Sequence, residues 1–146
     1  FAQGRMAEAR DQFQAASEDT EYDDRGSVFF NLGMTQERLG ALDQAAAAYR
    51  RSVELSREAR ALLALSRVLV AQGQFEAASR YYSRLTTIIQ RNPRMTHSAE
   101  SLLTGIQIAR HFNDRDQEAS LALLLKNEYP GSAEYQQYKV LISNDQ

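Results

Sequence analysis

Gly40-Ala-Leu-Asp-Gln-Ala45-x-x-x-Tyr49 and Gly73-Gln-Phe-Glu-Ala-Ala78-x-x-x-Tyr82 carry one pattern, and Gly4-Arg-Met-Ala-Glu-Ala9-x-x-x-Phe13 carries it upstream. A glycine is followed five residues later by an alanine, and four residues after that by an aromatic. Each glycine suits a left-handed residue closing one helix just before the next begins. The alanine lets two helices of a hairpin approach closely, and the aromatic is expected to fill the space between neighbouring hairpins. Ala9 and Ala45 are 36 positions apart, and Ala45 and Ala78 are 33 apart. Between these marks the residues are helix formers, chiefly Ala, Leu, Arg, Glu and Gln. Apolar residues recur at i, i+3 and i+4, as in Leu62, Leu65, Leu69 and in Ala45, Ala48, Tyr49, Val53. Strand-length alternation is hard to find, so the reading is all-α.

A small/large pattern with a period near 34 is the tetratricopeptide (TPR) signature. The fold class read from it is an all-α TPR superhelix, an α-α hairpin solenoid with a C-terminal capping helix, since a lone hairpin cannot bury its apolar face. The expected organisation is a single array: a truncated repeat at 1–24, repeats at 25–56 and 57–94, a divergent repeat at 95–130, and a capping helix at 131–146. Gly33 supplies the A-helix glycine of the second repeat, Ser66 stands there in the third, and Gly105 matches it in the fourth. Ala119 falls about two places late, which predicts a longer turn over His111 to Asp116. Asp114-x-x-Gln117 and Ser132-x-x-Tyr135 read as helix starts.

The chain has 146 residues, a net charge of -2, seven glycines, two prolines and no cysteine. Without cysteine, the sequence holds no disulfide framework, thiol catalysis or lipid attachment point of its own. The balanced charge argues against nucleic acid as a partner, and no apolar run reaches the ~18 residues that span a bilayer. His97 and His111 are the only histidines and lack ligand spacing, so no metal is expected. The acidic run Glu18, Asp19, Glu21, Asp23, Asp24 lacks the calcium-loop pattern and reads as a solvated connection before a helix. There is no nucleophile elbow and no glycine-rich phosphate loop, so the expectation is a non-enzyme without cofactor.

Function is then expected in a groove. With Phe29 at the packing position, Phe30 is read as facing the concave side of the array, roughly 100° round the helix. The same register sends Met34, Glu37 and Arg38 there from the second repeat, and Arg60, Leu63, Arg67 and Val70 from the third. From the fourth it sends Leu102, Ile106 and Arg110. The alternative for Leu63, Leu102 and Ile106 is packing against a neighbouring A helix. An apolar floor in which Arg outnumbers Glu suits an apolar partner segment of some acidic character. A clamp for an acidic chaperone tail is not formed, because Phe30 and Met34 stand where Lys and Asn would be needed.

Several stretches carry a more particular likeness. Val28-Phe-Phe-Asn-Leu-Gly33, Ala-Ala-Ala-Tyr49-Arg-Arg-Ser-Val-Glu-Leu55 and Ala77-Ala-Ser-Arg-Tyr-Tyr82 resemble the type IV pilus biogenesis/stability lipoproteins, the PilF/PilW pilotin family. So do Ala99-Glu-Ser-Leu-Leu-Thr-Gly-Ile-Gln-Ile-Ala109 and the run through Phe112 to Leu125-Lys-Asn-Glu-Tyr-Pro-Gly-Ser132, where generic TPR sequences share least. Arg91-Asn-Pro-Arg-Met-Thr-His97 departs from the family as a longer, more basic linker. The chain opens at Phe1 without a signal-peptide pattern, so it is expected to be the C-terminal two-thirds of such a protein. The resemblance implies a non-catalytic scaffold on the periplasmic face of the bacterial outer membrane. It also implies the pilus secretin as partner, other pilus assembly proteins as further candidates, and a lipid anchor upstream as the sole membrane attachment. The broader alternative is a TPR module binding a peptide segment of some other protein.

Overall fold

The computed structural model describes residues 25–56 and 58–145. The truncated repeat expected at 1–24, with Gly4, Ala9, Phe13 and the acidic run to Asp24, lies outside the described residues. Seven α-helices follow in order: α1 Arg25–Arg38, α2 Leu42–Ser56, α3 Ala59–Ala71, α4 Phe75–Arg91, α5 Ala99–His111, α6 Arg115–Glu128 and α7 Ala133–Ser143. No strand occurs among the described residues. The chain divides into two compact units, one ending at Gln74 and the other beginning at Phe75.

In the first unit α2 packs against both α1 and α3. The approach of α1 to α2 is set by two glycines. At Gly33 an added Cβ would lie 2.6 Å from a ring carbon of Tyr49, and at Gly26 it would lie 2.6 Å from the Ser56 Cβ. Tyr49 is completely buried. Its ring sits over Gly33 within its own hairpin, 5.6 Å from the Phe30 ring, and its hydroxyl donates to Glu37 Oε1 at 2.9 Å. The expected position between hairpins is thus not where its described contacts fall: the missing Cβ of Gly33 draws the ring inward. Ser52 and Ser66 are buried, and each hydroxyl is satisfied by a backbone carbonyl, Gly26 O at 2.7 Å and Leu62 O at 2.7 Å. In α3 Leu62, Leu65, Val68 and Leu69 are all buried, each contributing ~1.5–3 kcal/mol relative to exposure.

The second unit has its own core of Leu102, Ile106, Leu121 and Leu125, from α5 and α6. Here the repeat aromatic does bridge hairpins. The Tyr82 hydroxyl of α4 donates to Ser101 O at 2.8 Å, and an added Cβ at Gly105 would lie 2.2 Å from that hydroxyl oxygen. Burial holds the Tyr82 phenol well above the usual tyrosine range. α7 has no fully buried residue and lays Tyr135 and Tyr138 on the core from outside. Ser98, Asp114 and Ser132 cap α5, α6 and α7 by accepting from the backbone N–H groups of Ser101, Gln117 and Tyr135.

The divergent repeat is not divergent where expected. The turn between α5 and α6 is Phe112, Asn113, Asp114, three residues as in Leu39–Ala41 and Gln72–Gln74. Asn113 takes φ 58° where Gly40 takes 79° and Gly73 takes 76°. The hydrogen bonds repeat as well: Gly40 N to Glu37 O, Gly73 N to Val70 O and Asn113 N to Arg110 O. Asparagine is the non-glycine residue best suited to this left-handed position. The longer turn over His111 to Asp116 is therefore replaced by a standard one, and the added length sits in the connection Asn92–Ser98 between α4 and α5.

Candidate protein-binding face

Within the first unit, residues 27, 30, 34 and 37 of α1 lie three or four apart on one stripe, and residues 60, 63, 67 and 70 of α3 form its counterpart 33 positions on. The two stripes are joined side chain to side chain. The Arg60 guanidinium lies 4.4 Å from the Phe30 ring centroid, donates to Ser27 Oγ at 3.0 Å through Nη2, and pairs with Glu58 through Nε at 2.7 Å. Arg67 forks onto Glu37: Nη2 reaches Oε1 at 2.9 Å, and Nη1 contacts Oε2. Because Glu37 Oε1 also accepts from Tyr49, one carboxylate ties α1, α2 and α3 together. Bidentate arginine–carboxylate pairs combine charge with fixed geometry.

The face is less open and less basic than its composition implies. Phe30 is only 9% exposed, packed on Tyr49 and capped by Arg60, whereas Phe29, read as the packing residue, is half-buried beneath Arg51 at 5.4 Å. The physical reason is Gly33: with no side chain one turn along, α1 settles close enough for Tyr49 to reach Phe30. Arg67 spends its charge on Glu37, and Arg60 pairs with Glu58 while remaining exposed. Arg38, exposed in the last turn of α1, carries no ion pair among the described residues. What the face offers outward is the half-buried apolar group Met34, Leu63 and Val70, beside the exposed charges of Arg38 and Arg60.

The fourth-repeat residues lie in the second unit and are placed differently. Leu102 and Ile106 are 1% and 0% exposed and belong to its core, so the packing alternative holds for both. The cause is a register slip. Gly105 marks Leu102 and Ile106 as equivalents of Phe30 and Met34, but the turn at Asn113 makes the equivalents Leu103 and Gln107. Arg110 is half-buried and held by two carboxylates, Glu118 at 2.8 Å and Asp145 at 2.6 Å. Its hydrogen bonds to Asp145 and then Glu118 push its pKa further up, so it is a permanently charged strap between α5, α6 and the residues after α7. Glu58, Ser27 and the Tyr49 hydroxyl were not read as part of the face. The available signal was the spacing of 33 between Ser27 and Arg60, one repeat period. Among the described residues no group of three or more metal-ligating side chains comes together, and no helix is long and apolar enough to cross a membrane.

These features agree with what the chain is similar to. A tetratricopeptide-repeat family profile matches residues 26–58 and 59–92. The type IV pilus assembly protein PilF of Pseudomonas aeruginosa is 35% identical over 140 residues, covering 95% of this chain and 53% of PilF, so the chain spans about half of that relative. A solved structure described as the functional characterization of P. aeruginosa PilF superposes with a TM-score of 0.81 at 34% identity, over 94% of this chain and 60% of the other. PilW, a widely conserved type IV pilus biogenesis factor, shares the fold with a TM-score of 0.74 at 24% identity over 92% of this chain and 60% of PilW. YrrB, a TPR protein with an unusual peptide-binding site, does so with 0.73 at 18% identity over 93% and 66%. The chain is an all-α tetratricopeptide-repeat protein related to the type IV pilus assembly protein PilF.

Proposed function

We propose that the chain is the partner-binding scaffold of a type IV pilus pilotin, holding the pilus secretin while that protein reaches or assembles in the outer membrane. The observation that carries this is the identity to PilF, 35% across 95% of the chain. The α1/α3 face supplies a means. Met34, Leu63 and Val70 form an apolar floor whose shape is fixed from below by the Tyr49–Glu37–Arg67 network, so a partner segment meets a surface already ordered. Arg38 and the outer side of Arg60 favour an acidic border on that segment, adding orientation more than affinity. Other pilus assembly proteins are further partners in this reading. The protein works at the periplasmic face of the outer membrane, attached by a lipid carried outside this sequence.

The test is genetic and biochemical. In the source organism, removing the gene lowers the amount of secretin in the outer-membrane fraction, and the full-length protein restores it. Met34→Gln with Leu63→Gln, which alters the floor and leaves Tyr49 and Glu37 in place, restores it poorly. Full restoration by this variant removes the face from the account; unchanged secretin after gene loss removes the pilotin reading and leaves a TPR module with another partner.

A further inference from the structure

Arg110 in α5 divides its guanidinium between two carboxylates of unlike standing. Nη1 donates to Glu118 of α6 at 2.8 Å, and Nη2 donates to Asp145, beyond the end of α7, at 2.6 Å. The Glu118 side chain is 19% exposed and sits among packed helices, whereas that of Asp145 is 59% exposed. Because each carboxylate takes a different nitrogen, the Asp145 pair can be broken while the Glu118 pair stays whole. Among the described residues little else holds Asp145: its N–H donates to Ile142 O at 3.3 Å, and α7 has no fully buried residue. Arg110 also stands at a recurring position. The turn bond from Asn113 N to Arg110 O matches those from Gly40 N to Glu37 O and from Gly73 N to Val70 O, so Arg110 is the counterpart of Glu37 and Val70 on the stripes of the α1/α3 face.

A cavity of about 470 Å³ opens beside the Asp145 pair, and its lining includes Arg110, Arg115, Glu118, Tyr138, Ile142 and Asp145. That is within the range of ligand pockets, ~300–1,000 Å³. Arg115 is exposed and has no ion pair among the described residues. With Asp145 in place the lining carries two positive and two negative charges; with Asp145 withdrawn, one positive charge is left over. Tyr138, half-buried, and Ile142, 37% exposed, add an apolar wall.

We infer that Arg110 and Arg115 form a carboxylate-binding site that Asp145 closes from within, and that an aspartate or glutamate side chain of a partner protein opens it by taking the place of Asp145. The chain itself displays the ligand chemistry, since the group seated on Arg110 is an exposed carboxylate. Arg115 supplies an attraction that Asp145 leaves unused, which lets an incoming acid compete. An apolar residue next to that acid rests on Tyr138 and Ile142. Competition is real, because a tethered carboxylate acts at an effective concentration on the order of mM. The site lies wholly in the second unit and stands whichever protein occupies the α1/α3 face.

The test is NMR of the whole chain with the peptide acetyl-Leu-Asp-Leu-amide as probe. In the unaltered protein the peptide is expected to shift the Ile142 methyl and, along the same saturation curve, the Asp145 amide, which reports its release. Asp145→Asn is expected to tighten binding about fivefold, the ~1 kcal/mol of one competing exposed pair. Arg115→Gln is expected to weaken it about twofold to threefold, and acetyl-Leu-Asn-Leu-amide is expected not to bind. Equal affinity with and without Asp145→Asn, or a shift at Ile142 that leaves the Asp145 amide in place, overturns closure by Asp145. Equal binding of the asparagine peptide, or no saturable shift to about 20 mM, overturns the site. So do shifts that track protein concentration without peptide, since a second copy would then be the occupant.

Discussion

Gly33→Ala separates intrinsic helix propensity from the helix–helix contact, because the two predict opposite signs. Gly33 lies in the interior of α1, where replacing glycine by alanine favours the helix by ~1 kcal/mol. Against this, the new Cβ would stand 2.6 and 2.7 Å from two Tyr49 ring carbons, where ordinary carbon contacts are ~3.5–4.0 Å. The ring must therefore withdraw by about 1 Å. It has no free space, being completely buried, with its hydroxyl fixed to Glu37 at 2.9 Å. Overpacking of this kind costs ~1–3 kcal/mol, and a weakened bond to a carboxylate adds up to ~1.5 kcal/mol. After the propensity gain, the net expectation is a loss of about 2 kcal/mol, or ~4–8 °C in Tm for a chain of this size. Urea and thermal unfolding followed by circular dichroism measure it. In a Tyr49→Leu background the contact is relieved, and Gly33→Ala is expected to be neutral or stabilising, giving a coupling of about 2 kcal/mol. A higher Tm for Gly33→Ala alone refutes the close approach of α1 and α2 on which the face is built.

Glu37→Gln removes the charge shared by Arg67 and Tyr49; since both ion-pair partners are partly exposed, a loss of ~1 kcal/mol is expected by urea unfolding. Burial lowers the His97 pKa, so the unfolded chain takes up a proton below ~6.5 while the folded one resists it. Stability from this group is present above ~6.5 and lost as pH falls toward the folded value; His97→Asn is expected to flatten the Tm profile between about pH 7 and 5, and identical profiles argue against it. α7, with no buried residue and Val140 58% exposed, is expected to lose its amide protection before α5 in hydrogen exchange. Asp145→Asn, which frees one side of Arg110, is expected to hasten α7 further and leave α2 unchanged; equal protection of α5 and α7 contradicts the ranking.

The fold was legible because its marks are backbone requirements. Gly40 and Gly73 stand at positive φ, and Ala45 and Ala78 are both fully buried. Asn113 meets the same requirement with a different residue, and a search for glycine passes over it. Leu102 and Ile106, for which groove and packing were both open, lie in the core of the second unit. The face was legible only in part for another reason. Periodicity tells which residues share a stripe, but the exposure of Phe30 depends on Gly33, Tyr49 and Arg60 together, and the charge of Arg67 depends on a glutamate 30 positions away. Such pairings arise from packing between elements and have no local signal. The connection Asn92–Ser98 was visible as a long, basic stretch, while the hydrogen bond from the Tyr129 hydroxyl to His97 O has no local signal.

The most direct measurement of the central claim is site-specific photocrosslinking in living cells. A benzophenone side chain is placed at Leu63 of the full-length protein, on the α3 stripe, and in a parallel strain at Gln44, exposed on α2. A covalent adduct with the pilus secretin is expected from position 63 and little from position 44. Equal adducts from both positions, or none with secretin from position 63, would contradict it.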